Sequence, residues 1–187
     1  MEPERLRGLV ADGRVVLTGY ARKHSRPIGI GEGLKTKTNA NIGTSPDHKD
    51  ADVEFEKLRA AVDAGADAVM DLSTGGDIDA VRRRILAECE VAVGTVPIYQ
   101  AVVEKTRAGG GLVDCTADDF FDVIERQAKD GVDFMTIHCG LTRRLAEGVA
   151  RTRTAGVVSR GGCFLLQWIV HNNREDPYYE HYDRLLD

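Results

Sequence analysis

The sequence lacks several features that would assign it to a simple class of protein. No apolar run approaches the roughly 20 residues that a helix needs to span a bilayer. Residues 1–5 are charged and lack the apolar core of a signal peptide. The 25 Lys and Arg are outnumbered by 30 Asp and Glu, which gives a net charge of −5 and no basic surface for a polyanion. These absences predict a cytoplasmic protein that binds neither nucleic acid nor a membrane.

Clustered cysteines are also missing. The four cysteines lie far apart in the chain, at Cys89, Cys115, Cys139 and Cys163. No two of them form the Cys-x-x-Cys pair that is typical of metal and redox sites. We therefore expect no disulfide framework, and no zinc or iron–sulfur site built from this chain alone.

The composition is that of an ordinary globular domain. Hydrophobic residues make up 42% and charged residues 29% of a chain of 187 residues, which is long enough to bury a core. Residues 1–26 are polar and basic, and we interpret them as a lead-in segment with one helix and one short strand. Residues 27–187 are predicted to form the main, catalytic domain.

From residue 27 onward, short apolar segments alternate with amphipathic helices. The strands are predicted at residues 35–43, 66–72, 91–96, 132–138 and 156–159. Three of the joints share one pattern, in which a helix end and a glycine (Gly65, Gly131 or Gly156) precede a short apolar strand. Continuous apolar strands that alternate with helices indicate an α/β fold with a parallel sheet covered on both faces.

A TIM-type (β/α) barrel is favoured over a doubly wound sheet because every strand end, and not one crevice, carries polar residues. About five β/α units can be counted, whereas a closed barrel needs eight strands and about 250 residues. We therefore expect an incomplete barrel that is cut short. Either the chain is a fragment, or another chain supplies the missing strands.

The first two strand ends carry polar and glycine-rich segments. Asn39 and Asn41 place two side-chain amides beside Gly43, where they can bind a ligand or simply form a turn. The loop from Met70 to Asp77 precedes a helix, whose N-terminal N–H groups favour anions. Many capped helices look the same, so this loop is a weak indication.

The later strand ends offer more specific chemistry. Tyr99 could stack on a ring or donate a hydrogen bond, or it could be a core tyrosine. His138 ends a buried strand, a position that favours a functional role although a lone histidine is more often structural. Arg160 lies on a predicted glycine turn, Ser159–Gly162, before a helix. We favour a phosphate clamp there over a surface ion pair.

Two other functions are set aside. Residues 27–33 imitate a dinucleotide-binding fingerprint, but no strand–turn–helix unit surrounds them, so NAD binding is not expected. Asp71 is the only carboxylate at a strand end, which disfavours an ordinary barrel aldolase or isomerase with an acid–base pair.

Taken together, six segments resemble one known family, the phosphomethylpyrimidine synthases or ThiC family, and they follow in the same order. The segments are IGIGEG at Ile28–Gly33, NANIGTS at Asn39–Ser45, ADAVMDLSTGG at Ala66–Gly76, GTVPIYQ at Gly94–Gln100, GVDFMTIHCG at Gly131–Gly140 and VSRGG at Val158–Gly162. The resemblance covers nearly the whole chain from residue 27. No single segment would be specific, but six in order are.

The resemblance implies a radical S-adenosylmethionine lyase of thiamine biosynthesis. Such an enzyme converts 5-aminoimidazole ribonucleotide to 4-amino-5-hydroxymethyl-2-methylpyrimidine phosphate with a 4Fe-4S cluster, S-adenosylmethionine and a zinc ion. It also implies a homodimer for the full-length enzyme. The substrate contacts of the family fall on seven positions of this chain. They are Asn41, Met70, Tyr99, His138, Ser159, Arg160 and Gly161.

The departures from the family matter as much. A second substrate-binding stretch, a glutamate, two histidine metal ligands and a C-terminal cysteine triad are absent from these 187 residues. The chain is therefore expected to carry only part of the substrate site and, in isolation, to be inactive. Two alternatives stay open. They are a 5-hydroxybenzimidazole synthase of anaerobic cobamide synthesis, which uses the same substrate, and a non-catalytic ribonucleotide-binding fragment.

Overall fold

A computed structural model describes residues 1–18 and 25–187, which form two compact units. The first unit contains Met1–Thr95 and Arg126–Met135, and the second contains Val96–Glu125 and Thr136–Asp187. Part of the predicted lead-in, residues 19–24, lies outside the described residues. The boundary predicted between residues 26 and 27 stays a prediction.

The first unit begins with the predicted helix and strand. Helix α1 (Pro3–Ala11) leads into β1 (Val15–Thr18), which pairs antiparallel with β2 (Ile28–Gly31). A turn and not a helix follows β2, so the imitation of a dinucleotide fingerprint has no strand–turn–helix context in the structure.

Four parallel strands form the main sheet of the first unit, in the order β3, β4, β5, β6. They are β3 (Asn39–Ile42), β4 (Ala68–Asp71), β5 (Ala92–Thr95) and β6 (Phe134–Met135). Asn41 lies opposite Met70, Met70 opposite Gly94, and Gly94 opposite Phe134. The predicted α/β fold with a parallel sheet is confirmed.

Two helices of the first unit pack on this sheet. In α2 (Ala51–Asp63) and α3 (Ile78–Glu88), the apolar faces join residues of the strands in one buried core. The core centres on Phe55, Leu58, Val69, Ile85 and Val93, which are almost fully buried. At about 1.5–3 kcal/mol for each large apolar side chain, this burial is the main force that holds the strand ends in place.

Local caps begin and end these helices. The carboxylate of Asp77 accepts from the N–H of Ala80 at 3.0 Å and begins α3. Gly65 follows α2 with a positive φ of 89°, as expected for a glycine just past a helix end.

The described residues of the second unit contain helices and no strand. The helices are α4 (Pro97–Arg107), α5 (Ala117–Lys129, whose last residues belong to the first unit), α6 (Arg143–Thr152), α7 (Arg160–Asn172), α8 (Pro177–Glu180) and α9 (Asp183–Leu186), with a 3-10 turn at Leu112–Asp114. An aromatic core joins α5, α7 and α8, where Phe120 packs edge-on to Trp168 and tilted against Tyr178. The indole N–H of Trp168 donates to the carbonyl of Cys115 at 2.8 Å.

Two predictions of secondary structure are wrong. The strand at 156–159 is not formed, because no other strand lies in the described part of this unit to pair with it, and Val158 is 77% exposed. Pro97–Gln100, predicted as a strand end, is the first turn of α4, since a proline at the first position is preorganised for a helix. Residues 179–187 contain the end of α8 and all of α9.

No helix within residues 1–18 and 25–187 is long and apolar enough to cross a membrane.

A buried carboxyl group caps α8. Asp176 accepts from the N–H of Tyr178 at 2.9 Å through Oδ1, whereas Oδ2 is buried without a hydrogen-bond partner among the described residues. Burial raises the pKa of Asp176 to about 7, with a further contribution from the charge of Glu175. Below that pH the folded chain therefore favours the protonated acid.

Asp176→Asn should remove a pH dependence of stability. An unfolded Asp ionises near 3.8 and the folded one near 7, so between these values the folded state holds a proton that the unfolded state has lost. The free energy of unfolding then falls as pH rises through this window, with a slope of up to about 1.4 kcal/mol per pH unit. Urea titrations across this range should show a flatter slope in Asp176→Asn. Asp50→Asn, at the exposed cap of α2, should keep the slope, and an unchanged slope in Asp176→Asn would contradict the assignment.

Candidate functional site

Two of the predicted site residues lie side by side in the sheet of the first unit. Asn41 on β3 and Met70 on β4 are register partners, so their side chains project from the same face. Asn41 is exposed and its Oδ1 accepts from Nδ2 of Asn39 at 3.0 Å, while Met70 is half-buried. The next position in this row is Gly94, over which the ring of Phe134 lies. The row therefore presents an amide and a thioether next to each other.

The loops that follow β3 and β4 are joined by hydrogen bonds. The N–H of Thr44 donates to Oγ of Ser73 at 3.1 Å, and the Thr44 hydroxyl donates to the carbonyl of Gly75 at 2.8 Å. The Ser73 hydroxyl in turn donates to Asp71. These side chains of Thr44, Ser73 and Asp71 are all buried, so the loops beside Asn41 and Met70 have a fixed conformation.

The carboxyl group of Asp71 belongs to this hydrogen-bond network and is buried away from solvent. Burial raises the pKa of its carboxyl above the ordinary value, while the hydrogen bonds from Ser73 and the charge of Arg82 oppose that rise. The carboxylate accepts from both the N–H and the hydroxyl of Ser73. The carboxylate predicted at this strand end is therefore engaged in hydrogen bonds within the loop network.

Glu54 supports the turn after β3 and was not predicted from the sequence. It lies on α2 with its side chain buried, and its Oε2 accepts from the N–H of Gly43 at 2.7 Å. Gly43 has a φ of 147°, and a Cβ there would lie 2.6 Å from backbone atoms of Leu72 and Ser73. Glu54 therefore holds a tight glycine turn directly after the strand that carries Asn41. Its position one turn before Leu58, on the apolar stripe of α2, was the available indication.

In the second unit, Arg160 and Tyr99 are in contact. Arg160 is the first residue of α7, and Ser159 caps that helix by accepting from the N–H of Gly162 at 3.1 Å. The predicted glycine turn at Ser159–Gly162 is therefore the first turn of the helix itself. The guanidinium carbon of Arg160 lies 5.2 Å from the centre of the Tyr99 ring, a cation–π geometry.

His138 packs against the same helix start. Its Nε2 lies 3.0 Å from Oγ of Ser159. A Cβ on Gly161 would lie 2.3 Å from the imidazole, so the ring rests directly on the backbone of α7. Burial lowers the pKa of His138 below its ordinary value of 6.5, which leaves the imidazole neutral at neutral pH. A neutral ring offers one N–H donor and one acceptor.

A pocket of about 410 Å³ opens beside this group. His138, Arg153 and Ser159 are its polar lining, and leucine and valine side chains such as Leu141 and Val157 are its apolar lining. The second unit thus provides space of ligand size next to two of the predicted contacts.

Comparison with known proteins identifies the family. A family model described as the radical SAM ThiC family matches residues 1–187. The chain belongs to the ThiC family. The resemblance seen in the six sequence segments is thereby confirmed.

Curated ThiC-family relatives are similar over nearly all of this chain. The phosphomethylpyrimidine synthase of Moorella thermoacetica is 56% identical over 186 residues, which are 98% of this chain and 43% of that protein. The synthase of Methanopyrus kandleri is 53% identical over 190 residues, 100% of this chain and 44% of that protein. That of Methanocaldococcus jannaschii is 48% identical over 185 residues, 98% of this chain and 43% of the relative. The chain therefore spans less than half the length of the relatives it matches.

The seven positions expected from the ThiC family fall into two groups. Tyr99, His138, Ser159, Arg160 and Gly161 lie in the second unit, where the first turn of α7 is in contact with both the Tyr99 ring and the imidazole. Asn41 and Met70 form their own pair in the first unit. The structure thus gathers the predicted residues within each unit.

The described residues contain no cluster of side chains that could hold the metal cofactors implied by the ThiC family. No group of three or more His, Cys, Asp or Glu side chains in residues 1–18 and 25–187 could hold a metal ion. All four cysteines are described and none forms a disulfide, and burial raises the pKa of Cys115 to about 11, which keeps it a thiol. These residues therefore fit neither an iron–sulfur cluster nor a zinc ion.

Proposed function

We propose that this chain supplies part of the substrate site of a radical S-adenosylmethionine lyase that makes the pyrimidine of thiamine. The proposed substrate is 5-aminoimidazole ribonucleotide, and the product is 4-amino-5-hydroxymethyl-2-methylpyrimidine phosphate. Membership of the ThiC family and relatives named phosphomethylpyrimidine synthase support this proposal. The observation that carries it is Arg160, which lies at the capped start of α7 with its guanidinium over the ring of Tyr99.

The start of α7 suits the phosphate of the substrate. Helix α7 has 13 residues, and the N–H groups of its first turn point toward its N-terminus, where an anion is stabilised. Arg160 adds a guanidinium fork whose geometry matches a phosphate. The side chain of Arg160 is exposed, and among the described residues it forms no ion pair. The surface ion pair considered as an alternative is thus not seen in this part of the chain.

The neighbouring groups suit the polar imidazole and ribose. The neutral imidazole of His138 and the hydroxyl of Tyr99 can each donate or accept a hydrogen bond. Ser159 already uses Oγ to cap α7, and Gly161 brings the backbone close to His138. Asn41 and Met70 are proposed as further contacts on the strength of the resemblance.

The remaining features are proposed for the whole protein. They are a TIM-type barrel, a 4Fe-4S cluster, S-adenosylmethionine, a zinc ion, a homodimer and a cytoplasmic location. We assign the cluster and the metal to the whole protein and not to residues of this chain. The 187 residues alone are therefore expected not to cleave S-adenosylmethionine.

Calorimetry on the 187-residue chain tests the phosphate clamp. Wild type should bind 5-aminoimidazole ribonucleotide, and Arg160→Ala should bind it at least about tenfold more weakly, because a charge-assisted contact to phosphate contributes 1.5–3 kcal/mol. Arg144→Ala is the matched control, since Arg144 is an exposed arginine in the first turn of another helix of the same unit. Equal affinity of wild type and Arg160→Ala would exclude this role.

A 5-hydroxybenzimidazole synthase would use the same substrate, so that titration does not distinguish it from a phosphomethylpyrimidine synthase. An anaerobic assay of the whole protein separates the two products, because a fluorescent benzimidazole would rule out the thiamine assignment.

A further inference from the structure

Phe164 contacts Tyr99, the residue whose ring lies against the Arg160 guanidinium. The rings of Tyr99 and Phe164 have their centres 6.1 Å apart and their planes at 78°, an edge-on arrangement. Arg160 lies over the ring of Tyr99, with its guanidinium carbon 5.2 Å from the ring centre. Tyr99 thus contacts an aromatic edge and a guanidinium.

The spacing on α7 explains this arrangement. Arg160 and Phe164 are four residues apart in one helix, so their side chains lie on the same face, one turn from each other. Tyr99 comes from the first turn of α4 and contacts both. The two contacts therefore come from one helix face and fix the orientation of a single ring.

Phe164 is not part of the buried core of α7. The core face of that helix contains Leu165, Trp168 and Ile169, which are almost fully buried, while Phe164 is only half-buried. Its edge contact with Tyr99 has the geometry that aromatic pairs prefer. This placement suits a side chain that orients a neighbouring ring.

We propose that Phe164 is a positioning residue for the phosphate-binding arginine. It acts through Tyr99, whose orientation sets the place of the Arg160 guanidinium before a ligand arrives. A long arginine side chain loses rotamer freedom when it binds, and holding it in place beforehand reduces that loss. The proposal rests on the proposed function, because it assigns to Arg160 the task of binding phosphate.

Nuclear magnetic resonance of the 187-residue chain tests the positioning without any ligand. The ring current of Tyr99 should shift the side-chain signals of Arg160 upfield, and Arg160→Lys assigns those signals. Phe164→Ala should remove at least about half of this shift, whereas Phe164→Tyr, which keeps the aromatic edge, should retain it. Phe164→Leu fills most of the space without a ring edge and should behave as Phe164→Ala does. Val170→Ala, at a position of α7 that is 64% exposed, should change nothing.

The outcome of this measurement is decisive. If the Arg160 shift is unchanged in a Phe164→Ala or Phe164→Leu variant whose circular dichroism matches wild type, the proposal is overturned. If the shift is lost in all three Phe164 variants, including Phe164→Tyr, the effect is general packing, and the proposal is also overturned.

Binding then tests the consequence for the ligand. Titrations with 5-aminoimidazole ribonucleotide and with its dephosphorylated nucleoside give the preference for the phosphate. Phe164→Ala should lower this preference about threefold or more. In an Arg160→Ala background it should have no such effect, because Phe164 acts on the phosphate through Arg160 and the two substitutions are then not additive. Equal weakening of both ligands, or an effect that persists without Arg160, would contradict the proposal. If wild type binds neither ligand, the proposed function fails, while the resonance shift still decides the positioning.

Discussion

Replacing Arg82 with alanine should lower the free energy of unfolding by about 3 kcal/mol, the cost expected when one partner of a buried ion pair is removed. The side chain of Arg82 is only 1% exposed. Its guanidinium donates through Nε to Asp130 at 3.0 Å and through Nη2 to Asp79 at 2.6 Å. Removal of this cation takes away the closest partner of both carboxylates and leaves them the longer contacts to Arg83 and Arg126, at 3.6 to 3.9 Å. Since Asp79 and Asp130 remain 23% and 18% exposed, water offsets part of the cost, and the lower end of the 3–5 kcal/mol range applies.

Arg83 provides a matched control on the same helix. It faces the same two carboxylates at 3.9 and 3.6 Å, but its side chain is 60% exposed. Exposed ion pairs contribute about 0–1 kcal/mol, so Arg83→Ala should change stability by less than about 1 kcal/mol. Urea denaturation of both variants measures the difference. Similar losses in the two would show that burial of Arg82 is not what makes its ion pairs important.

Gly161→Ala should displace the His138 imidazole and weaken binding of the ribonucleotide about tenfold or more, the loss expected when one well-placed contact worth 1.4 kcal/mol is removed. The added methyl group would lie 2.3 Å from Cε1 and 2.6 Å from Nε2 of the ring, closer than non-bonded atoms approach. The ring must therefore rotate away, and its hydrogen bond to Ser159 is then lost. Because burial lowers the pKa of His138, a displaced and more exposed ring should titrate nearer to 6.5. The pKa can be followed by nuclear magnetic resonance without ligand.

Gly148 on α6 serves as the control for this substitution. Among the described residues a Cβ there meets no heavy atom within 4 Å outside its own helix backbone, and alanine is the better helix former by about 1 kcal/mol. Gly148→Ala should therefore keep or raise stability and leave both the pKa of His138 and ligand affinity unchanged. A His138 pKa that stays the same in Gly161→Ala would mean that the ring does not depend on the bare backbone of α7.

Features with a local cause could be predicted from the sequence. Gly65 follows the end of α2 as expected, because a glycine cap acts within one helical turn. The strand expected at 156–159 failed for the opposite reason. Val157 and Val158 have the residue type of a strand, but a strand also needs a partner from elsewhere in the chain. The start of α7 was placed too late because Ser159 can either form a turn or cap a helix.

For the candidate site, the residue types were predictable and their supports were not. The apolar segments of the sequence indicated where strands end, and Arg160, His138 and Tyr99 follow directly after such segments. Glu54 and Phe164 act through contacts with residues that are distant in sequence, at Gly43 and Tyr99, and no spacing rule links them. Because Arg160 was predicted to lie on a turn before the helix, its position one helical turn from Phe164 was not predicted either.

The hydrogen bonds between the loops after β3 and β4 limit which segments can be exchanged between this chain and a relative in a chimaera. Thr44 depends on Ser73 for one bond and on Gly75 for another, so each loop completes the other. A chimaera that takes only one of these loops from a relative with other residues at these positions would leave buried donors or acceptors without partners. The two loops are 29 residues apart at the Thr44–Ser73 contact, but a chimaera should take both of them from the same parent.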